Sequence, residues 1–121
     1  MPSPLKSILF VEKKSKFYAY LYEVHSDEEF QAILKEQRRK HKKAVHHCWA
    51  YRIEIDGRIE EKSKDDGEVG HPGKVILDLM RHRDLKNMAI VISRIFGGVK
   101  LGVGGVSRAF RTAAEGLLDT D

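Results

Sequence analysis

Arg94-Ile95-Phe96-Gly97-Gly98-Val99-Lys100-Leu101-Gly102-Val103-Gly104-Gly105-Val106-Ser107-Arg108 places five glycines and three cations between an apolar segment and an amphipathic one. Glycine gives up side-chain contacts and costs backbone entropy, so such a cluster needs a reason. One reason is functional. A loop that opens a helix leaves amide N–H groups unpaired, and these favour anions. Gly97, Gly98, Gly102, Gly104 and Gly105 would let backbone amides approach phosphate, while Arg94, Lys100 and Arg108 neutralise its charge. The other reason is structural: glycines permit a tight strand-to-helix turn and close helix–sheet packing.

Outward from this segment, Met88–Phe96 is almost continuously apolar and β-branched, which predicts a central buried strand. Downstream, from Gly105 onward, Val106, Ala109, Phe110, Ala113, Ala114, Leu117 and Leu118 recur at helical spacing on one face. Further upstream, His46–Ile55 and Arg58–Lys62 read as a hairpin turned at Asp56-Gly57. Ser26-Asp27-Glu28-Glu29 is a capping box that starts a helix running to about Lys43. Ile8–Val11 and Phe17–Val24 have strand composition, and residues 1–7 read as a loose start with Pro2 and Pro4. Lys64–Gly73 is a polar loop, after which Pro72 opens a short helix with Val75–His82 as its body. The order β(β)-α-β-β-α-β-α predicts an α+β fold, a two-layer sandwich.

The 121 residues suffice for one domain, expected over 13–121 behind a segment and first strand at 1–12. No apolar run reaches membrane-spanning length, and residues 1–7 have no apolar signal-type core. With a single cysteine, Cys48, an internal disulfide is excluded and a reducing, cytoplasmic setting is expected. The net charge of +4 favours acidic partners, though it is modest for a dedicated DNA-binding domain. The glycine segment lacks the Gly-Lys-Ser/Thr ending of a phosphate-binding P-loop and the spacing of a dinucleotide fingerprint, so nucleotide hydrolysis has no support.

Other residues invite chemistry, each beside a plainer reading. Arg94 ends the most apolar strand, where an unpaired charge is costly. It either emerges at the rim or pairs with Asp65, Asp66 or Glu68. Those carboxylates, with Gly67 between them, suit Mg²⁺ or a general base; a solvated turn bonding its own amides is the alternative. His46, His47 and Cys48, with His41 and His71, suggest zinc, but alternation in a strand sends His47 to the opposite side from His46 and Cys48. Cys48 is a candidate nucleophile or simply buried packing. Trp49 and Tyr51 are core or a stacking surface. Arg38, Arg39, Lys40, Lys42 and Lys43 either touch nucleic-acid backbone or complement the negative end of a helix. No catalytic residue, cofactor or metal is assigned.

Three segments in order carry a family resemblance: Ala44-Val45-His46-His47-Cys48-Trp49-Ala50-Tyr51-Arg52, Asp65-Asp66-Gly67-Glu68, and Arg94 to Gly105. Together they resemble the shared ancient domain of the IMPACT/YigZ family, from about Lys13 to Leu118. The resemblance implies a fold similar to the second domain of ribosomal protein S5 and to the fourth domain of the translocation elongation factor. Bacterial relatives carry a ferredoxin-like domain after it. Eukaryotic IMPACT carries a different domain before it and restrains a kinase that phosphorylates a translation initiation factor. No stretch of the 121 residues corresponds to either accessory domain, so functions residing there are not carried over. The family pattern Asp-Asp-Gly-Glu-Pro-x-Gly-Thr-Ala-Gly is one residue shorter here, with His71-Pro72 where Thr-Ala is common. Ser93 replaces a usual threonine. The resemblance implies regulation of translation, with RNA, the ribosome or a translation-associated protein as partner and no membrane. An enzyme acting on a phosphorylated or acidic small molecule is the alternative.

Overall fold

The structure is a computed structural model and describes residues 3–121; the start expected at residues 1 and 2 lies outside the described residues. The elements are β1 (Lys6–Glu12), β2 (Ser15–Glu23), α1 (Asp27–Lys40), β3 (His46–Ile55), β4 (Arg58–Lys64), α2 (Pro72–His82), β5 (Met88–Ile95) and α3 (Gly102–Asp119). This is the α+β order anticipated from the sequence. The strands form one antiparallel sheet in the order β1-β2-β5-β3-β4. The apolar run of β5 is explained by its central place: every residue of Ala89–Arg94 is buried.

Alternation along the strands divides the interior in two. Phe17, Ala19 and Leu21 of β2, Cys48 and Ala50 of β3, and Ile90 and Ile92 of β5 face α2 and α3. There they meet Ile76, Met80, Val106, Phe110, Ala113 and Leu117. Burying each of the larger of these side chains contributes about 1.5–3 kcal/mol before the entropy of ordering it. The intervening residues, Tyr20, Tyr22, Trp49, Tyr51, Ala89 and Val91, face the other way and pack on Phe30, Ile33 and Leu34 of α1. Helices α2 and α3 thus make one layer with the sheet, and α1 lies across its opposite face.

The ends of the helices follow local chemistry, then tertiary contacts. The Glu29 amide donates to Ser26 Oγ at 3.1 Å, as the capping box requires. The helix stops at Lys40, three residues before the expected Lys43. The cause is His41, whose ring turns onto the sheet, stacks on Tyr18 at 4.5 Å and hydrogen-bonds with the Tyr20 hydroxyl at 2.7 Å. Helix α3 begins at Gly102, three residues before the expected Gly105, so Gly104 and Gly105 lie in its first turn.

Both hairpins turn through two residues in the left-handed region. Asp56 and Gly57 have φ of 51° and 78°, and Lys13 and Lys14 have φ of 45° and 69°. The first pair is the expected Asp-Gly turn; the second is held by its neighbours instead of by its composition.

Candidate binding surface

The chain between β4 and α2 binds three elements together. The Gly73 amide, at the start of α2, donates to Asp65 Oδ1 at 2.8 Å. Asp65 therefore caps α2 from a distance, since His71, the residue before the helix, makes no side-chain cap. The Asp65 carbonyl also accepts from Cys48 Sγ at 3.1 Å. Asp66 Oδ2 accepts from the His47 amide at 2.8 Å, and Arg38 of α1 reaches the other carboxylate oxygen at 3.4 Å. Burial pushes the Asp66 carboxyl up, but the amide and Arg38 outweigh it and hold it below the usual range. The chain reverses through Asp66 and Gly67, with φ of 51° and 81°.

Glu68 completes the set. Its carboxylate accepts from Arg94 at 2.9 Å, and the two side chains are 4% and 7% exposed. Of the two positions open to Arg94, the structure selects the buried ion pair. A second guanidinium nitrogen reaches Ser15 Oγ at 3.3 Å, and the Gly97 amide donates to the same hydroxyl. The expectation that Arg94 offers its charge on an exposed surface is thereby corrected. Its cation is neutralised inside, because an unpaired charge at that depth is far more costly than a paired one. The acidic motif and the glycine segment are brought together, but through the interior.

The glycines fall into different roles. A side chain at Gly97 would run into the Lys14 carbonyl, so this glycine lets the β1–β2 turn pack against the end of β5. Gly70 abuts the first two turns of α3 in the same way, at Val103 and Ser107. Gly98 and Gly102 have φ of 89° and 74° and open space around them. Gly104 meets only the Arg108 guanidinium, which lies back over the start of α3.

That start is open to solvent. Leu101 precedes it without a side-chain cap, and its first turn has no acidic residue. Among the described residues, Lys100 and Arg108 are exposed and take part in no ion pair. Arg108 also borders a cleft of about 280 Å³ floored by Leu101, Gly105 and Ala109, with Lys13 on its far wall. Val69, Val99 and Val103, to which sequence reasoning gave no role, lie about the loop with Phe96, which was expected in the buried strand but falls just beyond its end at Ile95; the four are 40–61% exposed. No periodic signal marks them, since they lie in or beside a loop.

The remaining candidates are placed by the sheet. Cys48 is fully buried, and burial together with Glu68, Asp66 and Asp65 pushes its thiol far up, so it stays protonated. It packs in the core and does not serve as a nucleophile. His46 donates to the Asp66 carbonyl at 2.7 Å and lies 3.8 Å from Glu68. His47, on the other face, pairs with Ser93 Oγ at 2.7 Å, and His71 points to solvent beside Asp65. Among the described residues no group of three His, Cys, Asp or Glu side chains converges as a metal site. Trp49 and Tyr51 are core, packed on Phe30 at 4.5 and 5.2 Å.

The basic run is split. Arg38 holds Asp66, Arg39 pairs with Glu36 at 2.6 Å, and Lys40 lies 4.8 Å over the Tyr20 ring. Lys42 and Lys43 are exposed beyond the helix end. Among the described residues no helix is long and apolar enough to cross a membrane.

The family model of the Impact N-terminal domain matches residues 13–118. IMPACT family member YvyE of Bacillus subtilis is 38% identical over 109 residues, covering 88% of this chain and 50% of YvyE. A protein IMPACT homolog of Dictyostelium discoideum is 42% identical over 94 residues, covering 75% of this chain and 27% of its own length. The chain thus spans half or less of these two relatives. Among solved structures, a hypothetical protein superposes with a TM-score of 0.86 at 28% identity, covering 98% of this chain and 58% of that one. The two-domain translational regulator Yih1 superposes at 0.64 with 32% identity, covering 93% and 45%. With the model spanning nearly the whole chain and the fold shared by these structures, the protein belongs to the IMPACT family.

Proposed function

We propose that this protein is a binding domain acting in the regulation of translation, with an anionic partner held at the start of α3. The partner class is RNA, alone or as part of the ribosome. The observation that carries this reading is the pair of exposed cations, Lys100 and Arg108, without an ion-pair partner among the described residues, beside an uncapped helix start with open glycines. Unpaired amides at a helix N-terminus favour phosphate oxygens, and the two cations supply counter-charge. The likeness to the translational regulator Yih1 supports the same setting. Arg94 and Glu68 shape the loop from within, and Asp65 and Asp66 brace it. Lys42 and Lys43 serve as auxiliary cations at the same end of the sheet, beside Ile95 at the close of β5.

Binding of this kind releases counterions, so affinity should fall steeply with salt. Reversing both charges, Lys100→Glu with Arg108→Glu, should abolish retention of ribosomal RNA in a filter or shift assay. The thermal midpoint should stay unchanged, because neither side chain supports the core. RNA retention that survives the double change removes this surface from consideration.

The exposed Val69, Phe96, Val99 and Val103 favour a second reading, in which a translation-associated protein docks on the same loop. Co-migration with ribosomes that persists after RNase treatment and is lost in Val103→Asp would select it.

A further inference from the structure

The two edges of the sheet are guarded very differently. β4, at one end, reads Arg-Ile-Glu-Glu-Lys-Ser-Lys, with five charged residues in seven. Charges along an edge strand discourage another strand from adding to it. β1, at the other end, reads Lys-Ser-Ile-Leu-Phe-Val-Glu, with no charge between its first and last residues. It contains no proline and pairs continuously with β2 from Lys6 to Glu12. Among the described residues its outer edge has no strand partner, and Leu9 and Val11 are 50% and 52% exposed. An unguarded apolar edge of this length is a template for a further strand.

We propose that β1 is a self-association edge, on which a second copy of this chain adds its own β1 antiparallel about Leu9. The sequence of the strand selects this occupant. In that register Leu9 stands opposite Leu9 of the second copy, Ile8 opposite Phe10, Ser7 opposite Val11, and Lys6 opposite Glu12. Residues directly opposite share a face of the sheet. Ile8 and Phe10, already packed against the α3-side core, therefore continue that core across the join. Lys6, seated on the carbonyls of Leu118 and Thr120, lies on the same face as Glu12, so each end of the pairing brings unlike charges together. Sliding the strand by two residues sets Glu12 against Ile8, or Lys6 against Phe10, and loses both matches. The join is isologous, closes after two copies and makes one ten-stranded sheet. Phe10 and Glu12 of β1 also line the cleft that Arg108 borders, so the two surfaces adjoin; self-association is read without RNA, and its failure is therefore distinguishable from failure of the proposed function.

Sedimentation of the chain over a wide concentration range should show a reversible monomer–dimer equilibrium. Leu9→Lys places like charges opposite one another and should raise the dissociation constant at least about tenfold. Because Leu9 is half exposed, the thermal midpoint of the variant monomer should be kept. Register is read by cross-linking. Opposed residues on antiparallel strands have Cα atoms about 4.5–5.5 Å apart, within disulfide range. Leu9→Cys alone should therefore give a covalent dimer under mild oxidation. Ser7→Cys should give one only when mixed with Val11→Cys, and buried Cys48 does not compete. A monomer at every concentration, a dimer indifferent to Leu9→Lys, or equal cross-linking by Ser7→Cys and Leu9→Cys alone would overturn the proposal.

Discussion

Arg94 shows how a residue that looks like a ligand-binding group from its neighbours is spent on the interior. It sits beside five glycines, yet its guanidinium is 7% exposed and held by Glu68 and Ser15. Removing one partner of a buried pair leaves the other charge uncompensated and costs about 3–5 kcal/mol. Glu68→Ala should therefore lower stability by that order in denaturant unfolding. Glu68→Gln, which keeps an acceptor for Arg94, should cost less. Equal and small losses for the two would mean that the pair is not buried as described. The sequence offered both carboxylate pairing and rim exposure for Arg94. It also named Asp65, Asp66 and Glu68 as possible partners, but only the path of the loop selects Glu68. Ser15 gave no warning, because nothing local distinguishes a serine that will be buried between a turn and a strand end.

At the scale of elements, the segment from the end of β5 into α3 holds two kinds of glycine. Gly97 is fixed by the close approach of the Lys14 carbonyl, so Gly97→Ala should destabilise the fold by about 1–3 kcal/mol through overpacking. Gly104 lies in the first turn of α3, where only the flexible Arg108 side chain is near. Gly104→Ala should instead stabilise by up to about 0.5–1 kcal/mol, the usual gain for alanine in a helix. If the start of α3 holds an anion, the same change should weaken RNA retention, since a methyl group then covers part of the amide surface. Stability and binding moving in opposite directions would separate function from packing at this position. A gain in stability with unaltered RNA retention would count against the anion site. The elements themselves were legible from period and punctuation, including the capping box, the Asp56-Gly57 turn and Pro72. The end of α1 was not, because His41 leaves the helix to stack on Tyr18, a residue far away in sequence.

For the whole molecule, protons report how the sheet and its helices are assembled. Burial holds His41 and His47 below the ordinary histidine range, with Lys40 and Arg38 adding to the shift. Each proton therefore binds the unfolded chain more readily than the folded one. Their contribution is complete above about pH 6.5 and is lost as pH falls through the lowered folded values. Asp66, also lowered in the fold, adds a second loss below about pH 4. Thermal midpoints should thus decline between pH 7.5 and pH 5, and His47→Gln should flatten part of that decline. A midpoint constant across this interval would contradict the burial of both rings. The self-pairing edge belongs to this scale as well, because an edge exists only once the order β1-β2-β5-β3-β4 is known.

By itself the sequence determined the order and kind of elements, the alternation of His46, His47 and Cys48 along β3, and membership of a family through three ordered motifs. Those follow from periodicity, turn chemistry and local composition, which act over a few residues. Only the tertiary structure decided which charges are spent and which are free. Arg94, Asp65, Asp66 and Glu68 find partners up to 79 residues away along the chain, while Lys100 and Arg108 find none among the described residues. Whether a charge must be paired depends on how deeply it is buried, and burial depends on how distant segments pack together.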